Sequence, residues 1–380
     1  DMGGHNGPGP FDRLRVSSDE GCRVVDLVGD AGRKGAQRGQ TVGIAHNGTI
    51  SNAGALRREL AEAGVIFQTT TDTELILHLM SQALARTGGQ LPQALEEALK
   101  QVEGAYCLLL LTKDEMIAVR DPHGFRPLAI GDFREGGYIV ASETIAFEVT
   151  GAKYLRDVEP GEIVVFGREG TLRSRRFASA PRHAHCIFEH IYFARPGSQV
   201  FGDSVYAVRK ALGRRLAIEA PVEADVVIPV PDSGLYPALG FAEQSGIPID
   251  MGISRNHYVG RSFIDPGITS RKLMINRKLQ PITDAIRGKR VCLVDDSIVR
   301  GSTSRARCHA IREAGAKEVH LRIVCPPHRF GCYFGIDFPE RNQLLANNIP
   351  TVEEIARHLK LDSLAYLSQE GMLSCVKAHP

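Results

Sequence analysis

Two rhythms of apolar and polar positions divide this chain. In the first half, residues 42–45 predict a short strand and 52–64 a helix closed by a glycine C-cap. Residues 72–85 and 91–102 predict two further helices, and apolar strands follow at 106–111, 116–119, 138–141 and 162–166. Clustered helices followed by clustered strands imply a layered α+β domain.

From about residue 224 the pattern changes. Residues 226–230 read as a buried strand, 235–244 as a helix and 249–253 as another apolar stretch. A continuous apolar run at 291–294 precedes a helix over about 303–314 and a strand at 319–324. Strands without polar alternation, separated by helices, predict a parallel sheet covered on both faces. The boundary falls near 170–185, where Arg173-Ser-Arg-Arg-Phe-Ala-Ser-Ala-Pro-Arg182 is basic, small and without a strand pattern. Two domains result, over 42–182 and 183–380. Residues 1–41 are glycine-rich and aperiodic, and are expected to be disordered or foreign to the fold.

Composition narrows the function classes. A chain of 380 residues with 43% hydrophobic content can build a core in each of two domains. Its 46 basic and 44 acidic residues give a net charge of only +2, which makes no electrostatic case for nucleic acid or a membrane surface. No apolar run approaches the ~18–20 residues that span a bilayer, and no signal-peptide core is visible. A soluble cytoplasmic protein is the expectation. The eight cysteines are irregularly spaced, and Cys107 and Cys292 lie in apolar runs where buried thiols are common. A reducing compartment fits, with metal or cluster ligation open to a minority of them.

The most specific segment is Val291-Cys-Leu-Val-Asp-Asp-Ser-Ile-Val-Arg-Gly-Ser-Thr303. A buried strand ends in two carboxylates, a tight loop follows, and a helix begins. A helix N-terminus presents unpaired N–H groups and positive potential, which suits a phosphate. Gly301 allows close backbone approach, and Ser297, Ser302 and Thr303 add hydroxyls beside Arg300. Asp295 and Asp296 stand at the carboxyl end of the strand, where open α/β sheets bind ligands, and can hold ribose hydroxyls or Mg²⁺. An isolated Asp-Asp pair more often only caps a loop, and a Ser-Thr pair a helix. The apolar strand before and the Gly-Ser-Thr helix start after decide for the phosphate reading.

This run resembles the phosphoribosyl-pyrophosphate (PRPP) loop of type I phosphoribosyltransferases, and the flanking residues narrow the resemblance to the glutamine PRPP amidotransferases. Cys186-Ile-Phe-Glu-His-Ile-Tyr-Phe-Ala-Arg-Pro196 is similar to that family's entry into its transferase domain. Val230-Pro-Asp-Ser-Gly234 resembles the pyrophosphate-side loop, with Ser233 at a metal-binding position beside Asp295 and Asp296. Tyr258-Val-Gly-Arg-Ser-Phe-Ile264 and Arg277-Lys-Leu279 resemble the loop that closes over PRPP, which implies PRPP contacts for Tyr258, Arg261 and Lys278. Ser262 stands where the family usually has Thr.

Ile44-Ala-His-Asn-Gly48 and Thr70-Thr-Asp-Thr-Glu74 resemble the glutamine site of N-terminal-nucleophile amidotransferases. The resemblance makes Asn47 and Gly48 oxyanion-hole donors and gives Asp72 the amino group of glutamine. Taken bare, His-Asn-Gly is a turn and Asp72 a helix N-cap. The implied fold is an N-terminal-nucleophile-type glutamine amidotransferase domain followed by a type I phosphoribosyltransferase parallel-sheet domain.

The family's nucleophile is an N-terminal cysteine, whereas this chain starts with Asp1 and has only a faint echo, at residues 35–40, of the family's early His-Arg-Gly stretch. An ammonia-dependent transferase with an inactive glutaminase half is therefore expected. Cys186 and Cys332 match two of the four ligands of the [4Fe–4S] cluster that many members carry, so the ligand set is incomplete here. The resemblance implies attack of ammonia, drawn from glutamine, on C1 of Mg²⁺-bound PRPP, giving 5-phosphoribosylamine and pyrophosphate, the first committed step of purine synthesis. It further implies purine nucleotides as feedback inhibitors and a homo-oligomer. A nucleobase phosphoribosyltransferase and a non-catalytic PRPP or nucleotide regulator are the alternatives. The glutamine-site motifs count against the first, and the lack of a basic helix-turn-helix module against a DNA-binding form of the second.

Overall fold

A computed structural model describes residues 16–19, 22–27, 40–255 and 279–377, with side-chain surroundings from residue 42 onward. The chain divides into two compact units. One comprises the described residues up to Cys186 together with Cys332–Ile336, and the other comprises Ile187–Gly331 and Asp337 onward.

The first unit is built on strands β1 (Val16–Asp19), β2 (Cys22–Leu27), β3 (Gln40–Ile50), β4 (Gly104–Leu111) and β5 (Glu115–Arg120). Strands β6 (Ala129–Asp132), β7 (Tyr138–Ala141), β8 (Lys153–Asp157), β9 (Glu162–Gly167) and β10 (Leu172–Arg176) follow. An antiparallel sheet runs in the order β1-β2-β3-β4-β5-β9-β10, and a second, three-stranded sheet in the order β7-β6-β8. Helices α1 (Ala53–Glu62), α2 (Asp72–Arg86) and α3 (Leu91–Leu99) cover one face.

The period-2 alternation of β4 explains the layers. Tyr106, Leu108 and Leu110 point into a core shared with Leu75, Ile76, Leu79, Met80 and Leu95 of the helices. Cys107, between them, faces the opposite side with Ala118, Val164, Leu128 and Ile130. A helical layer, a large sheet and a small sheet result, which is the layered α+β architecture expected.

Among the differences from the sequence expectation, three concern the large sheet of this unit. Strand β3 extends through His46, Asn47 and Gly48, which pair with Leu108, Cys107 and Tyr106, because a central strand carries polar residues wherever its ladder is complete. Residues 173–182 were expected to hold no strand, yet β10 pairs with β9 from Leu172↔Phe166 to Arg176↔Glu162. A sheet edge accepts charged residues, and Arg173 and Arg175 meet Glu115 and Glu96 at 2.7 Å each. Finally, parts of the stretch 1–41 are strands: β2 pairs with β3 from Arg23↔Ile44 to Leu27↔Gln40. The Val24-Val25 pair supplies β propensity that the surrounding glycines conceal.

The second unit contains a parallel sheet. Strands β11 (Gln199–Val200) and β12 (Asp203–Ser204) form a short hairpin before helix α4 (Val205–Glu219). Strand β13 (Val226–Pro229) leads to helix α5 (Leu235–Ser245), and β14 (Ile253–Arg255) pairs with β15 (Leu279–Pro281). Strand β16 (Arg290–Asp295) precedes helix α6 (Ser302–Glu313), then come β17 (Glu318–Ile323), helix α7 (Val352–Leu359) and β18 (Ser363–Tyr366). The order is β13-β16-β17-β18, parallel throughout. Every residue of β13 and Val291 to Asp295 of β16 are buried, as a strand covered on both faces requires.

Helices α4 and α5 approach closely at two glycines. A Cβ on Gly213 would stand 1.9 Å from the Pro237 carbonyl oxygen, and one on Gly240 2.0 Å from that of Lys210.

Candidate functional site

The carboxyl ends of β13 and β16 carry the chemistry of the second unit. Asp295 ends β16 and Asp296 begins the loop, and both are buried. Asp295 Oδ1 accepts the Asp296 amide at 2.9 Å, and its Oδ2 accepts Arg307 Nη1 at 2.7 Å. Burial pushes the Asp295 carboxyl well above the usual range, the neighbouring Asp296 adds to this, and Arg307 opposes it. Asp296 accepts Ser233 Oγ at 2.9 Å and Ser297 Oγ at 2.7 Å.

Ser233 lies on the turn between β13 and α5, where the Pro231–Asp232 peptide is cis and Asp232 pairs with Arg255. Gly234 fits only without a side chain, since its Cβ would stand 2.3 Å from the Val294 carbonyl oxygen. The fold thus brings Ser233 to Asp296.

The loop after Asp296 is shaped for an anion. No backbone carbonyl of the described residues accepts from the amides of Ser297 to Gly301. Gly301, at φ +76°, turns the chain into α6, and Arg300, Ser302 and Thr303 are exposed around that N-terminus. Unsatisfied amides, a helix start and hydroxyls are together a combination that can hold a phosphate. Tyr258, Arg261 and Lys278 lie outside the described residues.

Mg²⁺ takes hard oxygen donors, and the strand ends offer that type in Asp295, Asp296 and Ser233. Ser233 Oγ and Asp296 Oδ1 stand 2.9 Å apart as hydrogen-bond donor and acceptor.

In the first unit, Asn47 and Gly48 lie on β3, and Asp72 is the first residue of α2. Asp72 Oδ2 accepts the Ile50 amide at 2.9 Å, which ties the three residues to one end of that strand. Gly48 adopts φ +143°, and its Cβ would stand 2.0 Å from the Ala105 carbonyl oxygen. Asn47 is exposed, with its Oδ1 3.5 Å from Arg126 Nη2.

Two residues that the sequence did not flag fix the segment before Asp72. Buried Glu74 accepts the amides of Gln68 and Thr69 at 2.6 and 2.7 Å. Arg57 donates to the carbonyls of Thr69 and Thr71 at 3.0 and 2.7 Å and covers the Phe67 ring. Arg307 was likewise missed. The buried positions Ser304, Cys308 and Ile311 mark the inner face of α6, and that periodicity would have placed Arg307 beside it.

Among the described residues the cysteines do not complete a cluster site. The Cys186 amide donates to the Phe125 carbonyl, the Phe125 ring stacks on Phe334 at 4.3 Å, and the Phe334 amide donates to Cys332 Sγ at 3.3 Å. The backbone at Cys186 and the Cys332 thiol therefore lie beside one aromatic pair. A [4Fe–4S] cluster takes four ligands, and among the described residues no group of three or more His, Cys, Asp or Glu is placed to hold a metal ion. The described residues do not fit the cluster. No helix of the described residues is long and apolar enough to cross a membrane.

Comparison with known proteins gives consistent results. Residues 27–149 match a family model described as a glutamine amidotransferase domain. Amidophosphoribosyltransferase 2, chloroplastic, of Arabidopsis thaliana is 46% identical over 332 residues, which is 87% of this chain and 58% of that protein. The amidophosphoribosyltransferase of Methanocaldococcus jannaschii is 45% identical over 350 residues, 88% of this chain and 74% of that protein. The chain spans somewhat more than half the length of its chloroplastic relatives from Arabidopsis and soybean. Among solved structures, the glutamine PRPP amidotransferase of Bacillus subtilis, complexed with ADP and GMP, aligns with a TM-score of 0.82 at 44% identity. That alignment covers 90% of this chain and 74% of the other. The fold is therefore a glutamine amidotransferase domain followed by a phosphoribosyltransferase sheet, as the motifs implied.

Proposed function

The chain belongs to the amidophosphoribosyltransferase family, and we propose that it forms 5-phosphoribosylamine and pyrophosphate from PRPP and ammonia. The observation that carries this reading is the meeting of Ser233 and Asp296 beside a loop of unsatisfied amides that opens α6. In the reaction the nitrogen lone pair attacks C1, the bond from C1 to the pyrophosphate oxygen breaks, and the nitrogen loses a proton.

The protein's own work is positioning. The amides from Ser297 to Gly301, with Ser302, Thr303 and Arg300, hold the 5-phosphate. Asp295 and Asp296 form the ribose and metal end, with Ser233 beside Asp296. Mg²⁺ bound there would neutralise charge on the departing pyrophosphate. Tyr258, Arg261 and Lys278 enter this reading through their resemblance to the loop that covers PRPP.

In the first unit, Asn47 and Gly48 act as oxyanion donors for a glutamine amide and Asp72 holds its amino group. The Asp72–Ile50 bond and the tight backbone of Gly48 support this. The ADP and GMP bound to the Bacillus subtilis relative support purine nucleotides as regulatory ligands here.

The test is pyrophosphate release from Mg²⁺-PRPP with ammonium chloride, adenine or guanine as acceptor. Release with ammonium alone is expected. Release only with a nucleobase would replace this reading with a nucleobase phosphoribosyltransferase, and Mg²⁺-dependent binding without release would leave a regulator.

A further inference from the structure

The two adjacent aspartates have different partners. Asp295 is 3% exposed, and both its oxygens are engaged inside the fold, one by the Asp296 amide and one by Arg307 at 2.7 Å. Among the described residues Asp296 accepts only hydroxyls, from Ser233 and Ser297 on the two loops that border the site. Hydroxyls rotate and can exchange a carboxylate for a ligand or metal, whereas a buried carboxylate paired with a half-buried guanidinium is costly to leave alone. Arg307 is itself held by little else, since its Nε is buried without a hydrogen-bond partner among the described residues.

We propose that Arg307 is a positioning residue of the PRPP site: it pins the Asp295 carboxylate against the Asp296 amide. Asp296, with Ser233, is then the carboxylate that meets the metal end of the ligand. This rests on reading the site as a PRPP site. Arg307 acts through Asp295 and does not touch the ligand.

The alternative is an ion pair that only stabilises the fold, and a double-mutant cycle separates the two. The full chain and its R307M, R307K, D295N and R307M/D295N variants are titrated with PRPP by calorimetry over a series of Mg²⁺ concentrations. R307M should weaken PRPP binding about tenfold or more, the ratio given by ~1.4 kcal/mol of lost interaction. It should also raise the Mg²⁺ concentration at half-saturation, and R307K should restore part of both. R307M/D295N should bind no worse than D295N alone.

Unchanged binding and Mg²⁺ dependence in R307M would overturn the proposal, as would independent losses that add in the double variant. Should R307M fold poorly, a folded R307K decides: weaker PRPP binding with a raised Mg²⁺ half-saturation supports the role, and binding equal to the parent overturns it. An unsubstituted chain that binds no Mg²⁺-PRPP would overturn the PRPP reading and this proposal with it. Binding by that chain with an unaffected R307M would overturn the Arg307 role only.

Discussion

Ser233 donates to Asp296 at 2.9 Å across 63 residues of sequence. The bond joins the turn after β13 to the loop after β16, neighbouring strands in one parallel sheet. Parallel strands bring their carboxyl ends to one edge, so residues remote in sequence meet where the fold places ligands.

The first prediction tests that meeting. Ser233→Ala should weaken Mg²⁺-dependent PRPP binding by roughly tenfold, the scale of one hydrogen bond to a charged group. Asp295→Asn with Asp296→Asn should abolish it while circular dichroism stays unchanged. Calorimetry that finds PRPP binding intact in the double variant would remove these residues from the site.

Gly48 carries the second prediction. At φ +143°, with the Ala105 carbonyl where a Cβ would lie, it cannot take a side chain unless β3 moves away from β4. Gly48→Ala should cost about 3 kcal/mol or more, because overpacking and backbone strain act together. Thermal denaturation measures this, and a variant as stable as the parent would show that the backbone relaxes freely there.

The third concerns pH. Burial pushes the Glu74 carboxyl up, but the amides of Gln68 and Thr69 and the Thr69 hydroxyl outweigh it, and the net shift is below the ordinary 4.5. A depressed carboxylate contributes stability that is fully present above about pH 4.5 and is lost as pH falls through the folded value. Denaturation midpoints should therefore decline on acidification below that point. Glu74→Gln should decline less steeply while being about 1–3 kcal/mol less stable at neutral pH. Parallel pH profiles for the two proteins would mean that Glu74 titrates alike folded and unfolded.

What the sequence made legible was contiguous. Asp295, Asp296, Gly301 and Ser302 lie in one strand-loop-helix run, so their chemistry could be read without knowing the fold. Arg307 and Glu74 were silent, because each draws its meaning from a partner that only folding supplies. Helix α4 escaped for a related reason: it buries Arg209, which donates to the carbonyls of His190 and Ala194, so its inner face is not uniformly apolar. Strand β10 escaped because an edge strand tolerates arginines that would argue against a central one. The Gly213 and Gly240 contacts were hidden as well, since helical glycines look like defects until the neighbouring backbone is seen.

Those two glycines give the last prediction. Gly240 lies on α5, whose first turn follows Ser233 and Gly234, and α5 rests against the backbone of α4. A methyl group at Gly240 would meet the Lys210 carbonyl oxygen at 2.0 Å, so α5 must shift and carry the Ser233 turn with it. Gly240→Ala should therefore lower stability by about 1–3 kcal/mol, the usual cost of overpacking, although alanine is the better helix former. It should also weaken Mg²⁺-dependent PRPP binding, despite lying away from every proposed ligand contact. Gly54→Ala is the control: in helix α1 the nearest atom to its Cβ is Arg58 Nη1 at 3.9 Å. That change should be neutral or stabilising by up to about 1 kcal/mol, with PRPP binding unaltered. If Gly240→Ala destabilises but binds PRPP like the parent, the helix crossing supports the fold without positioning Ser233. If it does neither, α4 and α5 have more freedom to separate than their packing implies.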